Sequence, residues 1–497
     1  MPESRSKDLQ LVLQEQNLWR SQGRVPGALA PPVERPLARH LWQRLLADEP
    51  HRYQLILGPR RVGKTTVLYQ TVARLLAAGV DSSRIWWMRL DHPVLLREEL
   101  GDLVRLAVDS SGASTARPVY LMLDELVYAQ DWDGWLKTFY DEQWPVQIAA
   151  TSSATAALRR RRLESGIGRW EEQHLTPYSL PEFLDLMAGS PVLEWENVAG
   201  ETLGEAMQAV SSIPDNAGVF PEGRRRLLMT GGFPELLRSA ANRTDDGYQY
   251  SDVDLVLLSQ QVLRSDAVER TLYKDIPQSF GVDNPMMLER LLYVVADQPA
   301  GQLSPQNIAS DLDMAIPTVE RYLKYLEHAF LIFMLPNYSG TEAAVQRRGR
   351  KLYFVDGAVR NAALQRGVAL LEDPNEMGRL SENLVATSLR SLAAHSGVRL
   401  YHWREGKKEV DLIYDDPRGS LAFEIASSPR HSRAGLQALI NRHHRFRGRC
   451  YLVAPDLPVI PADSDEQGIG SFPLDSLLVA IGAQSHQAML RRLGAKS

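Results

Sequence analysis

The stretch Tyr53 to Thr66, YQLILGPRRVGKTT, constrains the fold of this chain more than any other. Gly58 is followed by Pro59, Arg60, Arg61 and Val62, then by Gly63-Lys64-Thr65-Thr66, giving the pattern G-x-x-x-x-G-K-[ST]. That spacing builds a phosphate-binding loop. A strand delivers the chain to a glycine turn, whose backbone N–H groups cradle phosphate oxygens. Lys64 is placed to reach the outer phosphates and Thr65 to offer its hydroxyl to Mg²⁺. The helix that follows points the positive end of its dipole at the same charge. Leu55-Ile56-Leu57 reads as the buried parallel strand before the loop, and Val67 onward as the helix after it.

Further along, Pro118 to Leu123 is an apolar run ending in Asp124-Glu125. A carboxylate at the end of a buried strand beside a phosphate loop can hold the Mg²⁺ shell, and the next can orient the attacking water. A further strand, Val146 to Ala150, ends in Thr151-Ser152-Ser153, and Ser152 is the candidate γ-phosphate sensor. Alternating strands and helices predict an α/β core with a parallel sheet and its ligand at the strands' C-terminal edge. The basic run Leu158 to Arg162, followed by Gly168-Arg169, offers phosphate or nucleic-acid contacts.

The whole chain has 497 residues, a net charge of −5 and one cysteine, Cys450. That length predicts several domains. The charge argues against general coating by nucleic acid but allows a local basic patch. One cysteine excludes an internal disulfide framework. With no apolar run long enough to span a bilayer and no signal-like N-terminus, the expectation is a soluble, cytoplasmic protein without a membrane partner.

In order, the expected organisation is an N-terminal arm over 1–35, the phosphate-loop core over 36–180, a helical lid over 181–270, a helix-turn-helix module over 271–340 and a C-terminal α/β domain over 341–497. The arm has a short helix over Leu9–Trp19, broken by the proline-rich 26–32. A helix is expected over Val94–Asp109. In the fourth region Ser304-Pro305 opens a helix, a turn follows, and Val319, Tyr322, Leu323 and Leu326 line one face of the next helix. Thr318, Arg321 and Lys324 then face outward, suited to phosphate contact, although Glu320 lies among them. Phe330 to Leu335 reads as a wing strand.

In the last region a helix Glu382, a strand Asp411 and a strand Glu424 have the spacing of a metal-dependent nuclease site. Such a site places a lysine two residues after its second strand carboxylate, where this chain has Ala426. The expectation is a degenerate site serving as scaffold or nucleic-acid grip. The nuclease reading, a defence-related enzyme whose cutting is regulated by ATP, stands as the alternative.

These motifs together resemble a bacterial and archaeal family of ATPases with an AAA-type core, a winged helix and a C-terminal domain of unknown function with a restriction-endonuclease-like fold. The resemblance is carried by GPRRVGKTT, LDEL, ATSSA, the Gly168-Arg169 pair, PYSLPEF at 177–183, GGFPE at 231–235, YKDI at 273–276, LYFVDGAVRNA at 352–362, SENLVA at 381–386, YHWREGKKEVDLI at 401–413 and FEIASS at 423–428. It implies an AAA-type parallel-sheet core with helical lid, winged helix and endonuclease-like domain. It implies an ATPase using ATP and Mg²⁺, with Lys64, Asp124, Glu125 and Ser152 at the site. Arg169 is its candidate trans-acting finger or phosphate sensor, and GGFPE is expected in a lid near the nucleotide. DNA, a protein partner and a second copy of the chain are the candidate partners, and a nucleotide-gated DNA- or protein-binding regulator is a further reading. The stretch 188–225 looks longer than the resemblance leads one to expect.

Overall fold

The computed structural model describes residues 2–47, 52–153, 168–213, 218–236, 250–298, 303–339, 341, 345, 349–428 and 430–494. The basic run 158–162, part of the 188–225 stretch and residues 347–348 lie outside them. Two compact units divide the described residues: those up to Leu175 together with Leu493 and Gly494, and Thr176 to Arg492.

The first unit is built on five parallel strands: β1 (Tyr53–Leu57), β2 (Ile85–Arg89), β3 (Val119–Asp124), β4 (Val146–Ser152) and β5 (Trp170–His174). Their order is β2-β3-β4-β1-β5. Every residue of β1 and β3 is buried, as continuous apolar runs in a parallel sheet should be. Leu57 pairs in register with Ser152 and with His174, so β1, β4 and β5 end at the same edge. The helix Pro36–Leu46 opens on proline and buries Leu37, Ala38, Leu41 and Leu45 at helical spacing. The helix Lys64–Ala77 buries Val67, Leu68, Val72 and Leu75 in the same way.

The arm is more structured than its sequence suggests. Its helix runs Pro2–Gln16, and the side chain of Asn17 then pairs with the backbone of β2. Asn17 Nδ2 donates to the Trp87 carbonyl at 3.0 Å, and Trp87 N–H donates to Asn17 Oδ1 at 2.6 Å. Fully buried Trp19 donates its indole N–H to Ile85 O at 3.3 Å. The arm's end is fastened to the helix Lys64–Ala77: Gln70 Nε2 donates to the carbonyls of Pro31 and Val33. The helix expected over 94–109 is split into one turn, Leu95–Arg97, and a helix Leu100–Ser111. Gly101 sits where a Cβ would lie 2.2 Å from the Trp135 ring, so this helix packs closer than any other residue there would allow.

The second unit holds the helix Pro285–Asp297, the pair Pro305–Leu312 and Ile316–His328, and an antiparallel hairpin of β6 (Ile332–Pro336) and β7 (Arg350–Phe354). Leu288, Leu291, Ile308, Val319, Leu323 and Ile332 share one apolar core. Arg321 and Lys324 are exposed on the outer face of the second helix of the pair, beside exposed Glu320. A second sheet has the order β12-β11-β10-β9-β8, from β8 (Arg399–Glu405), β9 (Lys408–Asp415), β10 (Leu421–Ile425), β11 (Cys450–Ala454) and β12 (Ile469–Pro473). β10, β11 and β12 are parallel, and β9 runs antiparallel to both β8 and β10. The helices Pro374–Ser396 and Leu474–Leu493 contribute Val385, Leu389, Leu477 and Ile481 to its core.

The helices Leu180–Ala188 and Leu203–Ser211, read from the sequence as a lid, put Phe183, Leu184, Leu203 and Met207 into that same core. GGFPE also has a structural place within this unit. Gly232 N–H donates to Asp356 Oδ2 at 2.8 Å, and Gly232 O accepts from Tyr178 N–H at 2.8 Å. A Cβ on Gly232 would lie 2.5 Å from Tyr178 N, so only glycine fits. Burial raises the Asp356 carboxyl to about 6, against the pull of the two N–H groups it accepts, from Gly232 and Ala358.

Candidate active site

The phosphate loop leaves β1 at Gly58, where an added Cβ would lie 2.1 Å from Leu175 O. Arg35, itself buried, anchors the loop by donating to Val62 O at 3.1 Å. Gly63 takes φ 96° and starts the helix Lys64–Ala77. Lys64 is 6% exposed, and its ammonium donates to Gly58 O at 2.9 Å and to Pro59 O at 2.8 Å. That ammonium is therefore held at the mouth of its own loop.

The acidic pair sits at the end of β3. Thr65 Oγ1 lies 3.1 Å from each carboxylate oxygen of Asp124. Thr151 Oγ1 donates to Asp124 Oδ1 at 2.7 Å and accepts the N–H of Glu125 at 2.9 Å. Ser153 Oγ donates to Glu125 Oε2 at 3.2 Å. Burial, then the neighbouring Glu125, raise the Asp124 carboxyl to about 6, opposed by the hydroxyls of Thr151 and Thr65. Two non-glycine residues with left-handed backbone fall here, Arg61 at φ 63° and Glu125 at φ 58°. Such conformations cost roughly 1 kcal/mol or more each and persist where the surroundings enforce them.

The fit to a Mg²⁺-nucleotide follows from these donors and acceptors. Asp124 and Thr65 turn hard oxygen atoms toward each other, the donor type Mg²⁺ prefers, and would be its ligands. When bound, the ion would neutralise charge developing on the phosphates.

The sequence reading named Ser152, but the hydroxyls that reach the acidic pair belong to Thr151 and Ser153. Side chains alternate along a strand, and Ser152 lies between these two. Tyr69 was also missed. It stacks on Trp87 with ring centroids 3.9 Å apart and planes 6° from parallel. Arg169 is not brought to this constellation. It immediately precedes β5, its carbonyl accepts from Tyr53 N–H at the start of β1, and its guanidinium is paired with both oxygens of Asp141 at 2.8 and 2.9 Å. The phosphate loop leaves the opposite end of those strands.

A second constellation lies in the second unit. Glu382 on the helix Pro374–Ser396 and Asp411 on β9 converge, but on a residue the sequence reading did not consider. Lys351 Nζ on β7 lies 2.8 Å from Glu382 Oε1, 2.9 Å from Glu409 Oε1 and 2.8 Å from Asp411 Oδ1. Its side chain is 1% exposed. Burial works against its charge, but Asp411 and Glu382 outweigh that and hold it protonated. Tyr353 donates its O–H to Glu382 Oε1 at 2.8 Å, and Ile425 N–H donates to Asp411 Oδ2 at 2.9 Å. Glu424 on β10 pairs through Oε1 with His431 at 3.2 Å, and burial with the nearby Asp411 raises its carboxyl to about 7. The position two residues after Glu424 is Ala426, and the cation that meets these carboxylates enters from β7 instead. Among the described residues, no group of three or more His, Cys, Asp and Glu side chains is set to hold a metal ion.

Residues 50–184 match the model of an AAA domain. The phosphate-loop region is thus similar to an AAA domain, which supports an AAA-type P-loop ATPase. Two further segments match domains of unknown function, 222–369 (DUF8612) and 377–469 (DUF4143). An uncharacterized protein of Methanocaldococcus jannaschii is 23% identical over 391 residues, spanning 78% of this chain and 77% of that one. An uncharacterized protein of Mycobacterium tuberculosis is 26% identical over 317 residues, covering 62% and 63%. The crystal structure of Cdc6p from Pyrobaculum aerophilum aligns at 12% identity with a TM-score of 0.27, covering 69% of this chain and 99% of that one.

Proposed function

We propose that this chain hydrolyses ATP with Mg²⁺ at the Gly58–Thr66 loop and uses the cycle to change conformation. Lys64 and the loop backbone bind the phosphates, Thr65 and Asp124 hold Mg²⁺, and Glu125 orients the attacking water. The observation that carries this reading is the unbroken chain of hydrogen bonds from Thr65 through Asp124 and Thr151 to Glu125. One hydroxyl ties the ion-holding carboxylate to the backbone of the water-orienting one, so the two are positioned together. Arg169 has no part in this scheme, its guanidinium being committed to Asp141.

Glu125→Gln tests the assignment. It should keep ATP binding and abolish turnover, and full steady-state hydrolysis by this variant would refute it.

For the partner we favour DNA, bound through the helix pair and hairpin read as a winged helix. Exposed Arg321 and Lys324 on one helix face support this. ATPase activity measured with and without single- and double-stranded DNA tests it. Stimulation that disappears in Arg321→Ala/Lys324→Ala is the expected result.

A further inference from the structure

We propose that the ammonium of Lys351 is the built-in counter-cation of the Glu382–Glu409–Asp411 cluster. It occupies the position a divalent ion would otherwise take, so the C-terminal domain keeps this cluster closed to metal. Three observations lead there.

The first is stoichiometry. An ammonium has three N–H donors, and three carboxylate oxygens from two different elements lie at 2.8, 2.9 and 2.8 Å from this one. None of its protons is left to offer a substrate. A lysine that assists phosphodiester cleavage must face the reacting phosphate, and this one faces only carboxylates.

The second is the state of the remaining acceptors. Glu382 Oε1 also accepts from Tyr353 O–H, and Asp411 Oδ2 accepts from Ile425 N–H. Those two oxygens are thus engaged by groups of the chain itself, while Glu424 Oε2, outside the lysine's three contacts, is buried without a partner among the described residues. With the lysine side chain 1% exposed, exchange for a solvent ion requires β7 to move.

The third is origin. Lys351 lies on the hairpin strand β7, paired with β6, whereas its partners lie on the helix Pro374–Ser396 and on β9. The ion group therefore also fastens the helix-and-hairpin module to the C-terminal sheet. Removing this cation would leave Glu382 and buried Asp411 facing each other without a cation and Glu409 with Arg404 alone, at 3.8 Å, which is far costlier than losing a surface pair.

The test uses the full-length chain without nucleotide, following Mn²⁺ binding by electron paramagnetic resonance and thermal unfolding with Mn²⁺ or EDTA. Wild type should bind no Mn²⁺ that Asp411→Asn abolishes, and its midpoint shift between the two media should equal that of Asp411→Asn. Lys351→Ala should unfold about 10 °C lower in EDTA. It should also gain an Mn²⁺ site and recover part of its midpoint with Mn²⁺, and adding Asp411→Asn should remove that gain. Mn²⁺ binding by wild type that Asp411→Asn abolishes would overturn the proposal. So would a Lys351→Ala protein as stable as wild type and indifferent to Mn²⁺. If Lys351→Ala does not fold, the comparison of wild type with Asp411→Asn decides alone.

Discussion

Thr151 lies 2.7 Å from Asp124, and the same hydroxyl accepts the backbone N–H of Glu125 at 2.9 Å. Replacing it with valine keeps the shape and removes both bonds. Asp124 then loses a donor and the Glu125 N–H is left without its acceptor. We expect Thr151→Val to raise the Mg²⁺ concentration for half-maximal ATPase about tenfold and to lower kcat, consistent with about 1–2 kcal/mol for the lost bonds. Thr151→Ser, which keeps the hydroxyl, should stay near wild type. Steady-state kinetics over a Mg²⁺ series gives both numbers.

Lys64 and Glu125 should separate binding from chemistry. Lys64→Ala removes a side-chain cation held at the mouth of the loop. It should lose nucleotide affinity by about tenfold or more, since charge-assisted bonds contribute about 1.5–3 kcal/mol. Glu125→Gln should bind nucleotide normally and lose at least about 100-fold in kcat, the usual size of a general-base effect. Fluorescent-nucleotide binding beside phosphate release distinguishes the two.

Gly232 should tolerate no side chain. In Gly232→Ala the new Cβ would meet backbone and proline atoms, Tyr178 N at 2.5 Å and Pro177 Cβ at 2.8 Å, which cannot swing away. We expect a loss of about 1–3 kcal/mol, read as a lower unfolding midpoint. The same substitution at Gly79, which has φ +86° but open space around it, tests backbone strain alone and should cost less.

His402 should make stability pH-dependent. The ring is 1% exposed, and burial lowers its pKa from 6.5 to about 4. The folded chain thus resists protonation that the unfolded chain accepts. Its stabilising contribution is full above the unfolded pKa and is lost as pH falls through the folded one. Between about pH 6.5 and 4 the loss should reach about 3 kcal/mol. His402→Gln should flatten that part of the wild-type profile, measured as unfolding midpoints across this range.

What could be read from the sequence was what local spacing encodes. The glycines at 58 and 63 and the acidic end of β3 are each written within one turn or one strand. Choosing Ser152 over Thr151 turned on strand parity, which is set by pairing with β1 and β3 and not by the residues themselves. Lys351 was hidden for a stronger reason: it meets Asp411 across 60 residues, through strand pairing that no nearby residue announces. Strand β12, with the sequence IGSFP, carries glycine, serine and proline, residues that do not mark a strand by themselves. Yet all but its proline are buried, because its neighbour β11 supplies the ladder. The family resemblance makes Arg169 a trans-acting finger or phosphate sensor, whereas strand direction puts it at the end of the sheet away from its own phosphate loop.

The pairing of Asn17 with Trp87 has one more consequence. β2 is the last strand on its side of the first sheet, and an outermost strand is a template on which another chain can add itself. Here a side-chain amide imitates one residue of a neighbouring strand, giving a donor and an acceptor to the same peptide unit, while Trp19 and Gln16 occupy positions on either side. The sheet is thereby finished with a side chain instead of a strand. Growth by strand addition on that flank would first have to peel the arm away.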